Sequence, residues 1–176
     1  MATMIKFRGV PLEDVSGEDV SDIDGVDFDG TFVYGNYVKY GDGAIIVGDA
    51  LEADEDIFWA SWWVPVDPKT VEQFTVLKDA NSQDIYEGDI IQYSHQFYED
   101  LFTGAIGRET GYIGTVVKNN GAFGILINRM SYTDAHCNYY HAKDFVPFCE
   151  FDDPESDMAL KGNVHENPEL LEEDND

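Results

Sequence analysis

The residues best suited to chemistry fall in two places. The stretch Gly17 to Gly30, GEDVSDIDGVDFDG, sets six carboxylates among small and apolar residues with a repeated Asp-x-Asp rhythm. Converging oxygens around a sharp turn hold calcium, and an EF-hand loop needs acids or amides at positions 1, 3 and 5, Gly at 6 and a bidentate Glu at 12. With Gly25 as the turn residue, Asp22 and Asp24 fit the inner positions but Val20 and Thr31 occupy the ends. With Gly30, Asp27 and Asp29 fit but Gly25 and Asn36 occupy the ends. Neither register makes a calcium loop. The second place is DAHCNYYHAKDFVPFC, where His136, Cys137, His141 and Cys149 are of zinc-ligand type. Adjacent His136 and Cys137 would point to opposite faces of a strand, and there is no Cys-x-x-Cys pair. Core or surface roles are expected for them, with no metal and no cofactor.

Catalytic patterns are equally sparse. There is no Gly-x-Ser-x-Gly elbow, and GDGAIIVGD lacks the Lys of a phosphate-binding loop. Cys137 beside His136 in sequence does not establish the spatial pairing that a thiolate nucleophile needs. Carboxylates are so numerous that no acid/base pair stands out. The expectation is a protein that is not an enzyme.

The charge is far from balanced. Among 176 residues, 36 Asp and Glu face ten Lys and Arg, a formal net charge of −26. Such a field repels nucleic acid and anionic membranes and attracts basic partners, an attraction that salt weakens. The two cysteines form no disulfide framework, the N-terminus lacks a signal-peptide core, and no run approaches a membrane span. The expected location is the cytoplasm.

The elements that would position these residues read mainly as strands. TFVYGNYVKY (Thr31 to Tyr40) and AIIVGDAL (Ala44 to Leu51) flank GDG as a hairpin. IFWASWWVPV (Ile57 to Val66) reads as another strand, with Pro65 and Pro68 sending its end to an edge or an exit. TVEQFTVL, DIIQY, YIGTVVK and FGILIN follow, the last two around the NNGA turn. Ser94 to Gly111 reads as a long loop or short helix. In NPELLEEDND, Asn167 as N-cap, Pro168 at the first position and Glu169 against the helix dipole predict a short terminal helix. The fold class is therefore mainly β, all-β or β-rich α+β: compact antiparallel sheets or a small barrel with a short C-terminal helix. The organisation expected is an acidic N-terminal segment over 1–30, a β-rich core over 31–151 and an acidic C-terminal segment over 152–176.

Two stretches carry a resemblance. VDPKTVEQFTVLKDANSQDIYEGDII (Val66 to Ile91) and GNVHENPELLEE (Gly162 to Glu173) are similar to the two signatures of the YopX family of phage and prophage proteins. Pro68, Thr70, Val71, Gln73, Thr75, Leu77, Asp79, Asn81, Ile85, Tyr86, Glu87, Gly88, Asp89 and Ile90 match the first; Gly162, Asn163, Glu166, Asn167, Pro168, Glu169, Leu170 and Leu171 match the last. IKFRG and FVYG resemble the family's opening. Val76 stands where the family has Gly, and Ser82 where its Asn-Gly turn would be, so an altered turn is expected there. The resemblance implies a phage origin and a β-rich fold and assigns no activity. The matching residues have turn and cap chemistry, and structural roles are expected for them.

Three acidic segments remain: Glu13 to Asp29 with eight acids and no base, Asp49 to Asp56, and Glu150 to Asp176 with eleven acids against Lys161 alone. In extended chain, Asp22 and Asp24, or Asp27 and Asp29, would project to one side about 6.6 Å apart, roughly half the charge density of one DNA strand. Several segments together would offer a basic groove an imitation of nucleic acid. Candidate contacts are Glu18, Asp19, Asp22, Asp24, Asp27, Asp29, Glu52, Asp54, Glu55, Asp56, Asp152, Asp153 and Glu155, with Phe58, Trp59, Trp62 and Trp63 as an aromatic interface. The function expected is that of a non-enzymatic acidic binding protein in the infected bacterial host. It would mimic nucleic acid and inhibit a nucleic-acid-binding or defence protein such as a CRISPR or restriction effector. Solvating acidic loops, a homo-oligomeric assembly protein and an enzyme of unrecognised type stay open as alternatives.

Overall fold

The computed structural model describes residues 5–15, 17–54, 57–100, 102–103, 105–133, 141–151 and 153–172. The chain is β-rich and divides into two compact units, Met1–Phe74 and Thr75–Asp176. The division falls inside the stretch read from sequence as a single core, and the acidic residues up to Asp29 belong to the first unit.

In the first unit, β1 (Phe7–Gly9), α1 (Gly17–Ser21) and β2 (Asp27–Phe28) precede β3 (Val33–Tyr40) and β4 (Gly43–Val47). β5 (Ala50–Ala53), β6 (Phe58–Ala60) and β7 (Trp63–Val66) follow. The strand order is β7-β4-β3-β1, with β2 also against β3 and every pairing antiparallel. The β3–β4 hairpin turns at Gly41, where a positive φ of 57° suits glycine. β7 lies at the sheet edge, as Pro65 requires. The core gathers Val20, Val33, Ala44, Ile46, Trp62, Val64 and Val66.

β8 (Glu72–Lys78) carries the chain out of this unit. Its start pairs with β1, in the register Arg8↔Glu72 and Phe7↔Gln73. In the second unit its end neighbours β9 (Asp84–Tyr86). A five-stranded antiparallel sheet follows, in the order β13-β12-β11-β10-β14. Its strands are β10 (Asp89–Asp100), β11 (Ala105–Asn119), β12 (Ala122–Thr133), β13 (Phe145–Pro147) and β14 (Met158–Asn163). Ile85, Ile91, Tyr93, Val116, Ile125, Ile127, Val146 and Met158 lie in its core. Asn120 and Gly121, both at positive φ, make the two-residue turn that NNGA predicted.

Two expectations need correction. Most of Ser94 to Gly111 is strand, not a long loop or a helix: β10 runs to Asp100 and β11 starts at Ala105, paired from His95↔Thr110 to Asp100↔Ala105. Register shifts between Phe97, Tyr98 and Asp100 absorb the irregular pattern, as bulges do. The terminal helix is a single 3-10 turn, Pro168–Leu171, and Asn167 makes no side-chain cap bond. A further helix, α2 (Pro154–Asp157), starts at Asp153, whose carboxylate accepts from the Ser156 N–H at 3.3 Å.

Candidate functional site

Acidic residues are used in two opposite ways. In the second unit, Asp89 is buried at 1% exposure. Its carboxylate accepts from the Tyr86 N–H at 2.8 Å and from the Asn163 amide at 3.3 Å. Asn163 is its register partner on β14, and its own oxygen accepts from the His165 N–H at 2.8 Å. Asn167 turns back to accept from the Asn163 N–H at 3.4 Å, and a Cβ on Gly162 would stand 2.3 Å from that same Asn167 oxygen. Gly88 holds a φ of 81° while its carbonyl accepts from the Val164 N–H. The two signatures thus close on each other in one buried polar knot.

Asp79 makes a second one. Its carboxylate accepts from the backbone N–H of Asn81, Gln83 and Leu160 at 2.8, 2.9 and 3.1 Å, and from the Asn81 amide. Burial pushes its pKa up, but the hydrogen bonds from Leu160, Gln83 and Asn81 outweigh it and hold the carboxyl below its ordinary range. These bonds fasten the loop after β8 onto β14, whose Met158 carbonyl also accepts from the Ala80 N–H. Val76 and Ser82, where glycine was expected, keep positive φ values of 74° and 65°. Both are side-chain-bearing residues held in a conformation that favours glycine, at a cost in backbone strain.

The first unit holds a buried ion pair that its sequence does not advertise. Arg8 Nε donates to Glu72 at 2.7 Å, and its guanidinium lies 4.3 Å from the centre of the Phe32 ring. Tyr34, opposite Arg8 on β3, donates to Asp29 at 2.5 Å. Burial first, and then Asp29, drives the Tyr34 phenol well above its usual range. A charged residue in the short IKFRG strand was the available signal, but its partner is 64 residues away.

The N-terminal acids stand the other way round. Val15, Ile23, Val26 and Phe28 pack against the core and Val20 is fully buried. The chain turns at each step, with the Ile23 N–H bonded to the Val20 carbonyl and the Val26 N–H to the Ile23 carbonyl. Asp19, Asp22, Asp24 and Asp27 are left exposed. The extended Asp22–Asp24 row read from sequence is therefore absent, because the chain turns there. Asp29 is a turn residue, accepting from Thr31 and Phe32 N–H at 2.8 and 2.7 Å.

The other candidates divide similarly. Asp54 accepts from the Ile57 N–H, Asp153 caps α2 and Glu155 accepts from the Lys78 N–H. Glu18 lies in α1 and Glu52 in β5; Glu55, Asp56 and Asp152 lie outside the described residues, as do His136 and Cys137. Trp59 and Trp63 are 62% and 61% exposed, on β6 and β7, and Phe58 lies in β6. Trp62 does not join them: it is 8% exposed, in the core, where Gly48 leaves room for its ring. Among the described residues, no three His, Cys, Asp or Glu side chains are grouped to hold a metal ion. Nor is any helix among them long and apolar enough to cross a membrane.

The YopX protein family model matches residues 47–172, which include both signatures and the knot that joins them. The chain belongs to the YopX family. Both signatures serve here to fasten strands, so in this YopX protein they read as fold-forming residues. No curated protein matches the sequence. Protein EF1440 from Enterococcus faecalis, known from its crystal structure, is similar at 18% identity over 97% of this chain and all of its own, with a TM-score of 0.46. That likeness is too distant to carry an argument about activity.

Proposed function

We propose that this YopX protein is a non-enzymatic, phage-encoded acidic binding protein that meets a basic protein surface in the bacterial cytoplasm and competes there with nucleic acid. One observation supports this above the others. The Glu13 to Asp29 stretch is anchored by its apolar residues in the core, while Asp19, Asp22, Asp24 and Asp27 face water with no base between Arg8 and Lys39. A merely solvating loop has no need to bury Val20 or to pack Ile23 against the core, and carboxylates on an anchored chain lose little freedom when they bind. A host nucleic-acid-processing or defence protein is the class of partner that such charge suits.

The test uses the full chain, immobilised and exposed to bacterial lysate at low salt. Retention of a nucleic-acid-binding protein, displaced by duplex DNA and lost with Asp22→Asn, Asp24→Asn and Asp27→Asn combined, is the expected result. Retention that DNA does not displace, or that the triple variant keeps, overturns the reading.

A further inference from the structure

The strongest unexplained feature of the first unit is an aromatic face on one long β-ribbon. β4 and β7 pair from Ala44↔Val66 to Val47↔Trp63. The ladder continues through Gly48 N–H to the Trp62 carbonyl and Ser61 N–H to the Asp49 carbonyl, then into β5 and β6 as Ala50↔Ala60 and Glu52↔Trp59. Trp59 in β6 and Trp63 at the start of β7 stand on either side of Ser61, and exposed residues alternate from one to the other, four residues of extended chain spanning about 13 Å. All three are exposed, while Trp62 and Val64 turn into the core. Leu51, at the register shift of β5 against β6, is 75% exposed. Large rings left in water in this way mark an interaction surface.

Charge decides what can cover it. Between Lys39 and Lys69 every charged residue is an acid: Asp42, Asp49, Glu52, Asp54, Glu55, Asp56 and Asp67. A second copy of the ribbon would bring like charges together, and nucleic acid would be repelled. An uncharged apolar partner would cover the rings and strand the carboxylates. Arginine satisfies both, since its planar guanidinium stacks on an indole face while its N–H groups reach a neighbouring carboxylate. Exposed Asp49, paired with Ser61, sits between the two tryptophans.

We infer that the β4–β7 ribbon is a docking arm for arginine side chains of a partner protein, with Trp59 and Trp63 as stacking platforms and Asp49 as the charge between them. The inference rests on the proposed function for its class of partner, a basic protein surface. It adds the side chain recognised and a second point of contact.

Two labelled peptides, nine arginines and nine lysines, separate the two ideas by anisotropy titration against the full chain at matched salt. The arginine peptide should bind several-fold tighter. Trp59→Leu with Trp63→Leu, which keeps apolar area without rings, should bring it down to the affinity of the lysine peptide and leave the latter unchanged. Fluorescence of the remaining Trp62 checks that the core is intact. Equal affinity for the two peptides overturns the inference, as does an arginine preference that survives the double variant. A concentration-dependent dimer that the double variant abolishes also overturns it, since a second copy would then be the occupant. An arginine preference lost with the tryptophans, beside lysate capture that DNA cannot displace, would uphold the ribbon and sink competition with nucleic acid. DNA-displaceable capture without an arginine preference would do the reverse.

Discussion

Asp89 and Asp27 differ in nothing but their surroundings, and the contrast divides the molecule. Asp89 lies in the second unit, where its carboxylate holds Tyr86 and Asn163 in place. Asp27 lies in the first, exposed, on a two-residue strand against β3. The family match begins at residue 47, so it includes the buried knot and leaves out the exposed acids before it. In this chain the signature residues Asp79, Asp89, Asn163 and Asn167 go to closing strands, while Asp22, Asp24 and Asp27 stand exposed before the matched residues.

The largest effect should come where the first unit breaks that pattern, at its own buried charge. Glu72→Ala removes the carboxylate from Arg8, both residues being about 5% exposed or less. A cost of about 3 kcal/mol is expected, since a buried cation loses its counter-charge. All three tryptophans lie in this unit, so denaturant unfolding followed by tryptophan fluorescence reads the change directly. A loss under about 1 kcal/mol would mean that the pair is dispensable. Next comes Asp89→Ala, which strands the Tyr86 N–H and the Asn163 amide. At about 1–3 kcal/mol for an unsatisfied buried group, a loss of about 2–3 kcal/mol is expected by circular dichroism.

How much of this was legible in the sequence depends on the range of the interaction. The hairpins at Gly41 and Asn120-Gly121 were readable because the turn residues themselves demand positive φ. The ends of β10 and β11 were not, because Gly107 and Gly111 read as breakers while the pairing that overrides them is a property of two strands. In FWASWW the inward Trp62 stands between outward Ser61 and Trp63, an alternation that the sequence carries in its residue order. Arg8 with Glu72, and Asp89 with Asn163, depend on strand register, and one sequence does not supply register.

Asp79 extends the contrast to pH. Its pKa lies below the ordinary 3.8 when folded, so its stabilising contribution is complete above that value and is lost as pH falls through the folded pKa. The melting temperature of the wild type should therefore fall more steeply below pH 3.8 than that of Asp79→Asn. Parallel acid limbs would remove Asp79 from the account. A smaller effect, of opposite sign, is expected at Val76, half exposed and at φ 74°. A β-branched residue there costs about 1–3 kcal/mol, and glycine returns about 0.5–1 kcal/mol through the unfolded chain. Val76→Gly should thus stabilise by about 1 kcal/mol, with Ser82→Gly following by a few tenths.

The smallest effect is the one that sharpens the comparison most. Asp22, Asp24 and Asp27 are exposed on turns and a strand that apolar neighbours anchor. Their combined change to Asn should move stability by no more than about 0.5 kcal/mol, in the stabilising direction, because it relieves repulsion in a chain of charge −26. Asp29 is five residues from Asp24 and equally exposed, yet it caps the Thr31 and Phe32 N–H groups and accepts from Tyr34. Asp29→Ala should cost about 1 kcal/mol. Exposure by itself would make the two changes equivalent. If they differ as expected, the freedom of a carboxylate in this chain is decided by its hydrogen bonds, and only the unbonded acids are available to a partner.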